Sequence, residues 1–224
     1  MRENESTYYI HCFAHQLQIT LVAIAKNDVQ VGNIFNMSVD LVNVVRAFRK
    51  WQDILRECQV AHVSEALANG KLTSGHGLNQ EAMLKRVGDT HWGLHYGTLA
   101  SLIVMFPSVV DVLDYVVEDG SDPKQRAQAS TLLKFIQSFD FIFSLHLMKT
   151  MLGITNELSN ALQRKDQDIA NAMKLVKLSK QRLQMLRDDG WDGWARVRLN
   201  LCHESSSGEI RTDRVVQDGV LQAP

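Results

Sequence analysis

The sequence predicts an all-α chain, a helical bundle followed by a disordered C-terminal tail. Three observations carry this reading. Only 3 of the 224 residues are proline and 13 are glycine, so chain breakers are few. Apolar side chains recur at steps of three and four over most of the length, the period of a helix with one buried face. Apolar–polar alternation long enough for a half-buried strand is missing.

Taken in order, a first helix is predicted from about His11 to Asn27, with Phe13, Leu17, Leu21 and Ile24 on one face and Gly32 ending it. A second stretch runs from Ile34 through Leu67, carrying Leu41, Val44, Val45, Phe48, Trp51, Ile54 and Leu55 on one side. That length exceeds an ordinary helix and predicts an internal break. Asn69-Gly70 stops it, and residues 70–80 read as a flexible loop. The next helix begins at an N-cap, Asp89 or Thr90, and reaches about Met105. Pro107 suits the first turn of another, ending near Val117. Asp122-Pro123 is a cap and first-turn pair that opens a helix over roughly 123–150, and a further helix starts near Thr155. Asp166 opens or kinks the last one. Leu162, Ile169, Val176 and Leu183 stand seven apart, a straight apolar seam that packs inside its own bundle or against a partner helix. From Ala195 onward the chain is polar and loses the helical period, so it reads as disordered.

The charge balance narrows function. Lys plus Arg number 24 and Asp plus Glu 25, a formal net charge of −1, which excludes a strongly basic nucleic-acid clamp but leaves room for a local basic face. Apolar residues at 45% supply a real core. Three distant cysteines, Cys12, Cys58 and Cys202, do not form a secreted disulfide framework. The polar opening residues lack a signal-peptide core, and the longest apolar run, Leu102–Phe106, cannot span a bilayer. The expectation is a soluble, intracellular chain with no membrane contact.

Two constellations could carry chemistry. His11-Cys12-Phe13-Ala14-His15 places Cys12 and His15 on one helix face, and Cys58-x3-His62 repeats a metal-compatible spacing. The two pairs are far apart and both predicted helical, so buried thiols and core or capping histidines explain them better than a zinc site; no cofactor is expected. The second runs from Lys85-Arg86 through Asp89, Thr90, His91 and Trp92 to His95 and Tyr96. Cations beside a helix start suit a phosphate, and Trp92 could stack on a base; as core residues, Trp92 and Tyr96 share a face. Lys174, Lys177, Lys180, Arg182 and Arg187 make the last helix basic, either a solvated face or a weak nucleic-acid contact. No nucleophile elbow, phosphate-binding loop or dinucleotide fingerprint is present.

Several blocks carry a resemblance. Tyr8-Tyr-Ile-His11-Cys12-Phe-Ala-His15-Gln-Leu-Gln18 resembles the Cys-x-x-His block of hAT-superfamily transposases. Gly77-Leu-Asn-Gln-Glu81 and Gly88-Asp-Thr-His91-Trp92-Gly93 resemble the block that follows, and Ser138–Lys149 and Leu162–Ile169 are similar to the inserted helical region. The nearest likeness is to the plant group of zinc finger MYM-type protein 1-like, or TTF-type, proteins, over about residue 4 to Trp191. The resemblance implies a nuclear, DNA-directed ancestry and an RNase H-like core whose three acids hold two metal ions. The acids of that core fall outside the matching span, so the expectation is a non-catalytic, non-enzymatic fragment of a domesticated or decayed transposase. Residues 1–30 would be a remnant of the core, with Tyr8–Ile10 as a strand edge; 31–193 the helical insertion; and 194–224 a divergent tail. The family block maps to Cys12 and His15. Lys85, Arg86 and Trp92 are the DNA-contact candidates, although His91 stands where the family has Arg and Leu94 where it has Ser. The alternative is a regulatory nucleic-acid-binding or protein-interaction module. Weak DNA binding, self-association or a helical protein partner are the partners expected.

Overall fold

A computed structural model describes residues 13–69, 84, 92–164 and 168–190. These form eight helices and, among the described residues, no strand: α1 (Phe13–Asn27), α2 (Val29–Arg46), α3 (Arg49–Ala68), α4 (Trp92–Val104), α5 (Phe106–Asp119), α6 (Pro123–Ile136), α7 (Phe139–Leu162) and α8 (Ile169–Asp189). The all-α expectation holds. The expected 70–80 loop, the caps Asp89 and Thr90, the Tyr8–Ile10 strand edge and the tail lie outside the described residues.

Local chemistry sets the boundaries. The first helix ends at Asp28, not at Gly32: Asp28 is extended, and its carboxylate accepts a bond from Val31 N at 3.0 Å, capping α2. Gly32 sits inside α2, its N–H donating to Asp28 O at 2.9 Å. Here a capping carboxylate outweighs a glycine, which weakens a helix interior by only about 1 kcal/mol. A Cβ built at Gly32 meets nothing within 4 Å. Gly32→Ala is therefore expected to raise the unfolding free energy by about 0.5–1 kcal/mol, read from the urea midpoint at unchanged slope.

The break expected in the second stretch falls at Ala47–Phe48, where Phe48 is extended (φ −130°, ψ 144°). Pro107 takes the first turn of α5, and Asp122 caps α6 by accepting from Lys124 N at 2.9 Å. The helix expected over 123–150 is two helices. Ser138 divides them: its Oγ accepts from Phe141 N at 3.2 Å and donates to Phe135 O at 2.7 Å. The chain then stays helical through Thr155, where a new start was expected, to Leu162. Asp168 caps α8 by accepting from Asn171 N at 2.7 Å, the role expected of Asp166.

Burial arranges these helices around α2 and α7. Ile34, Phe35, Leu41, Val42 and Val45 of α2 are buried, and α2 packs on α1, α3, α4, α5, α6 and α7. α5 lies against α3 and α6 through Phe106, Val109, Val112, Leu113 and Val116, all at most 1% exposed. α4 bends 79° from α5 and packs on α7. Gly153 of α7 lets Tyr96 of α4 come close, since a Cβ there would stand 3.3 Å from Tyr96 Cε2. Tyr96 is thus a half-buried packing residue, while the side chain of Trp92 is outside the described part. α7 also receives α1 and α8, so one helix touches five others.

Among the described residues no single helix is long and apolar enough to cross a membrane.

Candidate functional site

The last helix presents the most exposed chemistry. Ala172, Val176, Ser179, Leu183 and Leu186 follow each other at steps of four and three and form the α8 stripe against α7; Ala172 and Ser179 are buried and the others half-buried. The seven-residue seam is corrected in two ways. Leu162 belongs to α7, beyond the connection, and Ile169 is 74% exposed, so within α8 only Val176 and Leu183 of the seam face the bundle. The seam therefore packs mainly inside its own fold.

The remaining faces of α8 carry Lys174, Lys177 and Lys180, all exposed, interleaved with exposed Met173. Met173, Lys177 and Lys180 stand at i, i+4 and i+7 and share one row. The two arginines are engaged: Arg182 pairs with Glu157 of α7, and Arg187 donates Nε to Asp188 at 3.0 Å. Gln184 and Arg187 donate to the Asp188 carboxylate and hold it below the usual carboxylate range. Among the described residues, no ion pair forms at Lys174, Lys177 or Lys180.

A second polar cluster joins α3 to α5. His62 Nε2 and Asp111 Oδ2 are 2.8 Å apart and both half-exposed. One turn earlier, Ser108 Oγ donates to Gln59 Oε1 at 2.9 Å. Cys58 lies half-buried on the same part of α3, and burial first, then the Asp111 and Glu57 charges, push its thiol up. A thiol raised this way stays protonated at neutral pH and is a poor nucleophile or metal ligand. The Cys58-x3-His62 spacing thus has a local explanation: His62 turns to Asp111, and among the described residues no three His, Cys, Asp or Glu side chains gather to hold a metal.

Asp111 opens an acidic row that sequence reading missed. Asp111, Asp114, Tyr115 and Glu118 occupy i, i+3, i+4 and i+7 of α5, a helix without a single cation. The signal was the recurrence of acids at helical spacing on an otherwise apolar element. Asp114 has its carboxyl pushed up by partial burial, then by Asp111 and Glu118 beside it. Asp119 stands 3.9 Å from Lys50.

Among the described residues, His146 on α7 is the buried titratable group, 5% exposed. Burial first, and Lys149 second, lower its pKa from 6.5 to about 4, so the ring is neutral at physiological pH.

Of the sites expected from sequence, Cys12, Lys85 and Arg86 lie outside the described residues, as do the side chains of His15 and Trp92. His15 stands in the first turn of α1 and Trp92 opens α4. Leu84, which precedes Lys85, is buried, and its carbonyl accepts a bond from Arg46 Nη1 at 3.2 Å, tying the approach to that segment onto α2. No family model matches this sequence, and no solved structure matches the chain.

Proposed function

We propose that the chain is a non-catalytic helical segment of hAT-transposase descent that holds a polyanion, the backbone of a nucleic acid, on the outer face of α8. The observation that carries this is the row of Lys174, Lys177 and Lys180, exposed and without an ion pair among the described residues. Three such charges on one rigid helix suit sequence-independent phosphate contact, which draws its free energy from released counterions. Binding here would regulate or position DNA rather than cut it, and it fits a nuclear protein.

Fluorescence anisotropy with a labelled DNA duplex of arbitrary sequence tests the reading. Binding should weaken as salt rises, and Lys174→Gln/Lys177→Gln/Lys180→Gln should flatten the slope of log K against log salt by about 2–3, close to one unit per lost contact. A slope that the triple substitution leaves unchanged, or no binding at low salt, removes α8 as the contact face.

A further inference from the structure

We propose that the outer face of α8 docks on the acidic row of α5 in a second copy of this chain. A polyanion uses the lysines of α8 but has no use for the apolar side chains beside them. Met173, in the same row as Lys177 and Lys180, is 61% exposed, giving a mixed surface that suits a protein partner better than phosphate alone. The face on α5 has the complementary make-up: Asp114 and Glu118, with Tyr115 between them 45% exposed.

Three further observations select a second copy as the occupant. Asp111 is engaged by His62 and Asp119 by Lys50, whereas Asp114 and Glu118 make no ion pair among the described residues. The carboxyl of Asp114 already feels two like charges, so an incoming ammonium group relieves a repulsion that the isolated molecule carries. The free groups are also of similar extent: at 1.5 Å rise per residue, Lys174 to Lys180 spans about 9 Å and Asp114 to Glu118 about 6 Å. Within one molecule the contact is not made, because α8 packs on α7 while α5 packs on α3 and α6. A net charge of −1 and an isoelectric point near 6.7 leave no overall repulsion between copies at neutral pH.

Such a contact is heterologous, one face against a different face, so each added copy leaves a free α8 at one end and a free α5 at the other. It goes beyond nucleic-acid binding and does not depend on it, since the acidic face contributes nothing to a polyanion. The two uses of α8 compete, so duplex DNA would disperse the assemblies.

Sedimentation of the full chain at neutral pH decides the matter. At roughly 50 mM salt the weight-average mass should exceed the 25.3 kDa monomer and rise with concentration, and at roughly 500 mM it should return to the monomer as the charges are screened. Lys174→Glu/Lys177→Glu/Lys180→Glu alone and Asp114→Lys/Glu118→Lys alone should each sediment as monomers, because each then carries two faces of one sign. Mixed in equal amounts they should associate again, since every reversed face finds its complement. Lys124→Glu/Arg126→Glu/Lys134→Glu moves the net charge equally on α6 and should leave association intact. Far-ultraviolet circular dichroism confirms that each variant keeps its helices; if reversal unsettles α8, Lys174→Gln/Lys177→Gln/Lys180→Gln must still lower the mass. A monomeric parent chain at low salt, no recovery in the mixture, or equal loss in the α6 variant would overturn the assignment.

Discussion

Truncating Phe141 to Ala is expected to lower the unfolding free energy by about 3–5 kcal/mol. Phe141 is 1% exposed, and its ring meets Phe135 of α6 edge-on, with centroids 5.3 Å apart and planes at 62°. It sits where α7 begins, directly after the Ser138 cap that turns the chain between α6 and α7. Removing the ring leaves a void that rigid helix backbones on both sides cannot close, so the lost dispersion adds to the lost hydrophobic transfer. For a chain of this length each kcal/mol moves the melting temperature by about 2–4 °C, so a fall of roughly 10 °C is expected in calorimetry. A loss below about 1 kcal/mol would mean that the α6–α7 corner repacks freely, against its observed burial.

The second large effect is a pH dependence set by His146. Its folded pKa is depressed from 6.5 to about 4, chiefly by burial. Between those values the unfolded chain binds a proton that the folded chain refuses. Acid therefore favours unfolding: the stability present above pH 6.5 is lost as pH falls toward about 4, by about 3 kcal/mol in all. His146→Gln keeps a polar side chain of similar reach and cannot titrate. From neutral pH down to about 4, the unfolding free energy of the variant relative to the parent should shift by about 3 kcal/mol in the variant's favour. Urea titrations at several pH values measure this difference, which cancels the carboxylates common to both proteins. Parallel profiles would show that the ring takes up its proton in the folded state without penalty.

The sequence told the helices apart from the rest, because amphipathic spacing is a local property and burial on one face enforces it. Pro107 and the Asp122-Pro123 pair were legible for the same reason: cap and first-turn geometry are decided within four residues. Ser138 was not legible. The apolar period of Ile136, Phe139 and Phe143 runs straight across the α6–α7 break, and no glycine or proline marks it. The break becomes visible only when one hydroxyl is seen serving both helix ends. Gly32 misleads in the opposite direction: a glycine reads as a stop unless the capping carboxylate of Asp28, four residues before it, is read with it.

The chemistry was less legible than the fold. His62 and Asp111 are 49 residues apart, and no spacing rule joins positions on separate helices. The basic character of α8 was readable from composition, but which cations remain unpaired was not. Arg182 is engaged by Glu157 from 25 residues away, and Arg187 by its own neighbour Asp188. What distinguishes the three lysines is therefore a property of the assembled bundle.

The position of α7 has a consequence for how the molecule is made. α2, α3, α5 and α6 pack on one another and are all synthesised by residue 136. α1 and α4 reach much of their packing only on α7, which emerges later. During translation the growing chain thus acquires one half of its bundle early, while two helices wait with sticky faces for a clasp encoded downstream. Chaperone demand should peak in that interval and fall once residue 162 has cleared the ribosome.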